Sequence, residues 1–361
     1  MVKTAGIAGA GLVGRILALA LLRDGWSVTI FDRDDTIGKA SCGYIAAGML
    51  SLYSEAENTG DLVIDLGYRS MELWPQILSN IGAEFCLQAM GSVMVAHAAD
   101  LSDLEMKCAI IRNRFPEVFS GLRITNKVYE LEEGISAPYG MYIKGEGSID
   151  SITLFKSLEN VLRDYGITWY SNVSVLKVQC AKIVTEQGSH TFDFVFDCRG
   201  VGAKSEIAGL RGVRGEAILV KAPGVTIKRA VRVMHPRYSV YVVPRQEHMF
   251  IVGASEIESC DCSEVSVQSA LEMLSAIYSL HRGFAEARIL DMMSACRPAF
   301  RDNVPRVLVE DRVIRINGLY RYGYLCVPAI VEEVLSFLDG GSLNHPALFS
   351  KTSTASAGLK T

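Results

Sequence analysis

The sequence predicts an α/β fold in which a discontinuous Rossmann-like domain carries an inserted antiparallel-sheet domain. Three observations carry that expectation. The chain opens as strand, glycine turn, helix and strand; its middle alternates as hairpins do; and apolar strands return near its end. At 361 residues the chain has length enough for two domains. The boundaries expected are 1–82, 141–213 and 290–345 for the first domain, and 83–140 with 214–289 for the inserted one.

The opening is the most informative stretch. Apolar residues 5–8 lead into "GAGLVG" at 9–14, a helical run from Leu12 to Leu22, and "WSVTIFD". This is the start of a dinucleotide-binding βαβ unit. Gly9 permits the tight turn, Gly11 lets the backbone approach a pyrophosphate, and Gly14 lets the helix lie close on the sheet. A lone glycine pattern is weak. Here Ala18 supplies a small residue at the helix–sheet contact, Gly25 closes the helix, and Asp32 ends the second strand, where a carboxylate meets an adenosine ribose.

Farther along, 61–81 reads as helix, with Pro75 marking a break or fresh start. Short strands are expected in 83–98, and an amphipathic helix over 101–114. Asp150 or Ser151 caps a helix that Gly166 stops. Strands follow in 167–186, and "FDFVFDCRGVGA" (192–203) is an apolar strand ending in a glycine turn, on the ligand edge of an open sheet. The block 214–255 alternates as antiparallel hairpins, 264–280 is an amphipathic helix, and strands return near 287–296 and 312–317. A last helix is expected over 329–338, and the Ser/Thr-rich tail from 346 is expected to be mobile.

Composition excludes several classes of function. The 36 basic and 40 acidic residues are spread without a basic block, which argues against a nucleic-acid partner. The nine cysteines form no CxxC pair, and Cys260 and Cys262 lack two further ligands for zinc, so no metal site is expected. The apolar N-terminus is broken by Arg15, lacks a cleavage site and is too short to span a bilayer, so the expectation is a cytoplasmic protein without membrane contact. A homo-oligomer stays open.

Several short segments, in order, resemble the FAD-dependent D-amino-acid oxidase/glycine oxidase (ThiO-like) family over nearly the whole chain. They are "GAGLVG", "AAGML" (46–50), "RGE" (214–216), "YVVPR" (241–245), "IVGAS" (251–255), "CRPAFRDNVP" (296–305) and "GLYRYGYLCVPA" (318–329). The resemblance implies FAD, held by Gly9, Gly11, Gly14, Asp32 and Arg33, by Ser41, Cys42, Ala47, Gly48 and Met49, by Val175 and Gly200, and by Gly318, Tyr320, Arg321, Gly323, Tyr324 and Leu325. It is expected to be non-covalent, with attachment through Cys296 or Cys326 the alternative.

The chemistry that the resemblance implies is hydride transfer from a small amino acid to flavin, with O2 reduced to H2O2. A substrate carboxylate calls for an arginine fork, which the family places before proline and which maps to Arg297. Tyr241 matches a pocket-lining tyrosine, though in an alternating strand it reads equally as packing. Arg321 would place a positive charge beside the flavin ring. The sequence departs from the family at Arg199-Gly200, where Thr-Gly or Ser-Gly is usual, and at Glu256, where an apolar side chain is expected. Those departures support the alternative function. It is a flavoprotein monooxygenase reduced by NAD(P)H that modifies a partner protein, like the GoxB-type flavoproteins of tryptophylquinone biogenesis.

Overall fold

Strands that read as continuous apolar runs belong where both faces are covered. Thr4–Ala8, Ser27–Phe31 and Phe194–Asp197 are such runs, and they lie at the centre of a seven-stranded sheet. This computed structural model describes residues 2–55, 57, 59–234 and 240–351. The sheet runs Phe349–Lys351, Arg306–Glu310, Val313–Asn317, Phe194–Asp197, Thr4–Ala8, Ser27–Phe31, Thr168–Tyr170, with neighbours parallel except at Arg306–Glu310/Val313–Asn317. Helices Leu12–Arg23 and Gly323–Leu338 pack on it through residues such as Leu17, Leu21, Val327 and Ile330.

The alternating block forms an eight-stranded sheet: Arg288–Ala299, Arg211–Lys221, Met249–Gly253, Val240–Pro244, Ala230–Met234, Ser92–Ala96, Tyr139–Ile143 and Ile124–Thr125. Its neighbours are antiparallel except Ala230–Met234 against Ser92–Ala96. The longest pairing runs from Arg211 opposite Ala299 to Lys221 opposite Arg288, with one register shift. Helix Val267–Leu280 covers one face with Met273, Ile277 and Leu280.

Four expectations need correction. Strands Tyr139–Ile143, Arg211–Lys221 and Arg288–Ala299 belong wholly to the eight-stranded sheet, so the expected cuts at 140/141, 213/214 and 289/290 each fall inside a strand that the sheet keeps whole. Helix Asp61–Asn80 continues through Pro75, because the buried face around it, including Trp74 and Leu78, holds it in line. The last helix begins at Gly323, six residues before the expected start. The tail is not free from 346: Phe349–Lys351 joins the sheet beside Arg306–Glu310, and Phe349 stacks on Phe337. Tail residues 352–361, and 235–239 of the alternating block 214–255, lie outside the described residues.

Pro328 explains why the early helix start was hard to read. Proline lacks an N–H, so the carbonyl of Tyr324 loses its helical donor. The indole of Trp74 takes that place, donating from Nε1 to Tyr324 O at 2.7 Å. A tertiary contact thus completes a helix that local propensity disfavours. Among the described residues, no helix is long and apolar enough to cross a membrane.

Candidate active site

A cavity of about 880 Å³ opens between the two sheets. At one end lies the N-terminus of helix Leu12–Arg23, whose cap Gly11 offers no side-chain acceptor and whose first turn holds no acidic residue. Unfilled N–H groups and the helix dipole therefore face the cavity, a setting for an anionic phosphate. Gly9 has φ +101°, and a Cβ there would lie 2.6 Å from Cys198 O. A Cβ on Gly14 would fall 1.9 Å from Gly9 O. Both positions admit only glycine.

Arg15 holds the turn in shape. Its buried guanidinium donates to Ala10 O (2.8 Å), Phe155 O (3.1 Å) and Thr36 O (2.7 Å), and lies over the Phe155 ring. Burial drives its pKa down to about 10, against the pull of Glu159 and Asp32. At the end of the second strand, Asp32 accepts from Ala10 N and, at 2.8 Å, from Asp34 N. Its carboxylate faces the same cavity as Gly9 and Gly11.

The middle of the cavity is walled by Ser41, Cys42, Ala47, Gly48 and Met49 on one side. Ser41 caps its short helix by accepting from Gly43 N (3.1 Å). Gly48 takes φ +61°, with Ile149 O where a Cβ would stand. Ala47 O accepts from the buried Arg245 at 2.7 Å, which ties this wall to the eight-stranded sheet. Opposite lie Gly200, Tyr320, Arg321, Gly323, Tyr324 and Leu325. The sharp turn there has Gly318 at φ +78° and Tyr320 at +51°, held by a bond from Tyr320 N to Pro298 O (2.7 Å). Tyr324 donates its hydroxyl to Gly43 O at 2.8 Å and so joins the two walls.

Charged side chains make the far end. Arg297 leaves strand Arg288–Ala299 opposite Val213 and lies flat across Gly215, where a Cβ would sit 2.4 Å from its Nη2. It donates to Ser255 O (3.1 Å), and among the described residues no carboxylate lies within ion-pair distance of it. Tyr241 shares this pocket, its ring against Gly253, and burial raises its phenol pKa. Beyond stands a charge chain: Arg232 Nη1 to Glu55 (2.7 Å), Glu55 to Arg321, Arg321 to Glu256 (3.2 Å), with Tyr320 donating to Glu256.

Two buried glutamates here show how partners decide the sign of a shift. Burial pushes the Glu55 carboxyl up, but the guanidiniums of Arg232 and Arg321 outweigh it and hold it below its ordinary value. Glu146 is buried too and accepts from Tyr53 N (2.9 Å), Ser54 N (2.7 Å) and Ser92 Oγ; there burial wins and the carboxyl is raised. Through those amides Glu146 fixes the segment that presents Glu55.

Most residues expected at the site line this one cavity: Gly9, Gly11, Asp32, Arg33, Ser41, Cys42, Ala47, Gly48, Met49, Gly200, Tyr241, Arg297, Tyr320, Arg321, Gly323, Tyr324 and Leu325. Three do not. Gly14 acts only through close packing. Gly318 already donates its N–H to Asn317 Oδ1 (2.8 Å), so that amide is not available to a ring oxygen. Val175 sits on an outer hairpin, its carbonyl accepting from Arg199 (3.3 Å). Arg321 differs from its expected character, because Glu55 and Glu256 together neutralise it. Glu256, which stands where an apolar side chain was expected, turns to that arginine and to the Tyr320 hydroxyl.

Arg199 also has a local explanation. Its guanidinium reaches Asp197 (2.7 Å) and Glu206 (2.6 Å), and Arg315 joins them at 3.0 Å from Asp197. Two cations and two anions thus close a buried cluster at the strand end. Sequence reading missed Glu55 and Arg232. The available signal was an arginine inside the apolar run "RAVRVM".

The comparisons with known proteins agree with this geometry. The family model for DAO, FAD dependent oxidoreductase, matches residues 5–335. A Rhizobium etli protein described as the thiamine biosynthesis oxidoreductase ThiO is 32% identical over 330 residues, covering 90% of this chain and 93% of that protein. Among solved structures, the glycine oxidase of Geobacillus kaustophilus superposes with a TM-score of 0.83 at 21% identity, covering 96% of this chain and 98% of its own. The iminodiacetate oxidase of Chelativorans sp. BNC1 gives 0.80 at 21% identity, covering 96% and 99%.

Proposed function

The chain belongs to the DAO family of FAD-dependent oxidoreductases, and from that premise we propose that it is an amino-acid oxidase. Its substrate is a small, glycine-like primary or secondary amine bearing a carboxylate. FAD, when bound, would supply the electron chemistry: acceptance of a hydride from the substrate's α-carbon, with O2 as the electron acceptor and H2O2 as the product.

In this reading the helix N-terminus behind Gly9 and Gly11 takes the pyrophosphate, and Asp32 the ribose. Arg33, the 41–49 wall, Gly200 and the 320–325 turn enclose the rest. The cofactor is held non-covalently. Cys326 is sealed beneath the helix against Val63, and the Cys296 sulfur is engaged by Cys262.

One observation carries the substrate class: the Arg297 fork faces the cavity without a carboxylate of its own. A substrate carboxylate accepting two parallel N–H bonds satisfies it, and the Tyr241 hydroxyl adds a third donor. That grip fixes the α-carbon in one orientation, which is the protein's main contribution to such a reaction. The charge chain from Arg232 to Glu256 forms a rigid polar wall beyond it. The departures that favoured a partner-modifying monooxygenase, Arg199 and Glu256, both have partners within the fold.

The test is anaerobic reduction of the yellow holoenzyme by glycine, sarcosine or D-amino acids in one cuvette and NADPH in another. Bleaching by an amino acid supports the oxidase. Bleaching by NADPH alone refutes it and restores the monooxygenase.

A further inference from the structure

Beside the substrate-binding end, a pair of thiols is held together by a scaffold that does not depend on them. Cys296 precedes Arg297 and is buried; Cys262 is exposed on the loop that crosses above it. The Cys262 thiol donates to Cys296 Sγ at 3.2 Å. Arg214 clamps the loop, donating to Asp261 O (2.9 Å), Ser263 O (2.9 Å) and Glu264 O (2.6 Å), and is itself anchored by Glu216 (2.6 Å). From the strand, Ser294 donates to Cys262 O at 3.3 Å. A disulfide has sulfurs about 2.05 Å apart, so closure needs an approach of only about 1 Å.

We propose that Cys262 and Cys296 form a peroxide-sensitive dithiol that closes to a disulfide next to Arg297. The exposed Cys262 meets hydrogen peroxide first. Its thiolate attacks one peroxide oxygen, the O–O bond breaks, and the departing hydroxide is protonated to water, leaving a sulfenic acid. The Cys296 sulfur then attacks the Cys262 sulfur. The S–S bond forms as the S–O bond breaks, and the Cys296 proton leaves with the hydroxyl as a second water. Two thiols and one peroxide become one disulfide and two waters, each sulfur losing one electron.

Burial pushes the Cys296 thiol up to about 12, and the adjacent Cys262 and Cys260 add to the rise. The exposed Cys262 is therefore the thiol that reacts first, and the buried Cys296 is the one that resolves it. Cys260 is held elsewhere, its sulfur accepting from Lys204 Nζ at 3.1 Å. Closing the bond pulls on the backbone that carries Arg297, so the disulfide weakens the carboxylate grip.

An amino-acid oxidase makes its own peroxide; that source of oxidant and the effect on KM rest on the proposed function, whereas the disulfide itself does not. The experiment therefore adds hydrogen peroxide to the holoenzyme directly, then alkylates under denaturing conditions. The expected result is a loss of about 2 Da and a dithiothreitol-reversible link between the Cys262 and Cys296 peptides. With it comes a rise of roughly 10- to 100-fold in KM for the amino acid. Cys260→Ser still forms the link, and Cys262→Ser loses it while keeping untreated turnover. Free thiols at both positions after peroxide, a link through Cys260, or Cys262 halted as sulfinic acid would each overturn the proposal. If added peroxide closes the bond but amino acids never do, the dithiol stands and the oxidase reading falls.

Discussion

At the end of the cavity formed by Gly9, Gly11 and helix Leu12–Arg23, backbone does the recognising; at the end formed by Arg297, Tyr241 and Glu55, side chains from distant segments do. The first end is one continuous stretch in which Gly9 and Gly14 leave no room for a side chain. The second draws on residues 55, 232, 241, 256, 297 and 321, each of which needs its own element in place. A backbone-built site is thus specified locally, whereas a side-chain site is specified by the whole fold.

The sharpest way to break the first end is Gly14→Val. With Gly9 O where its Cβ belongs, the helix must move off the sheet, at a cost of about 3 kcal/mol. The protein should be recovered without flavin, read as the loss of absorbance near the visible flavin band. Arg297→Ala tests the second end. Flavin content should hold while kcat/KM for the amino acid falls roughly 100- to 1000-fold, as for other buried charge contacts. Unchanged turnover would remove the arginine from the mechanism.

A smaller effect is expected at Glu55→Gln, which unpairs Arg232 and Arg321 and should cost about 2 kcal/mol in thermal unfolding. Because the folded-state pKa of Glu55 lies below its unfolded value, its contribution is complete above the unfolded pKa and is lost as pH falls through the folded one. The Tm gap between wild type and variant should therefore be full at neutral pH and narrow in acid. A gap that widened in acid would contradict the assigned pairing. Smallest is Glu256→Gln at the exposed end of the chain, expected within about 1 kcal/mol.

Legibility followed the same division. Gly9, Gly11, Gly14 and Asp32 were readable because strand, turn and helix fall within one short segment. Arg297 and Tyr241 were named from resemblance, since nothing in a bare strand says which face meets a cavity. Glu55 was invisible: nothing in "SEAEN" shows that Glu146, far away in the chain, anchors the amides of Tyr53 and Ser54, or that Arg232 and Arg321 pair with Glu55. The start of helix Gly323–Leu338 was hidden for a similar reason, as Pro328 argues against it unless Trp74 is known to fill the gap. Arg199 looked functional because the sequence does not show that it pairs with Asp197 and Glu206, in a cluster that Arg315 completes from the neighbouring strand.

Strand Arg288–Ala299 has an exposed beginning and a fully committed end. Cys296 faces the loop, Arg297 the cavity, Pro298 O accepts from Tyr320, and Ala299 bridges Leu319. Successive residues of a strand point to opposite faces, so a one-residue insertion or deletion near its start, if absorbed by sliding, would swing Arg297 out and its neighbour in. Natural variation in this segment should therefore come as exchanges of residues, or as length changes confined to the turn before Arg288, while the spacing from the edge of the sheet to Arg297 is conserved as a measured distance.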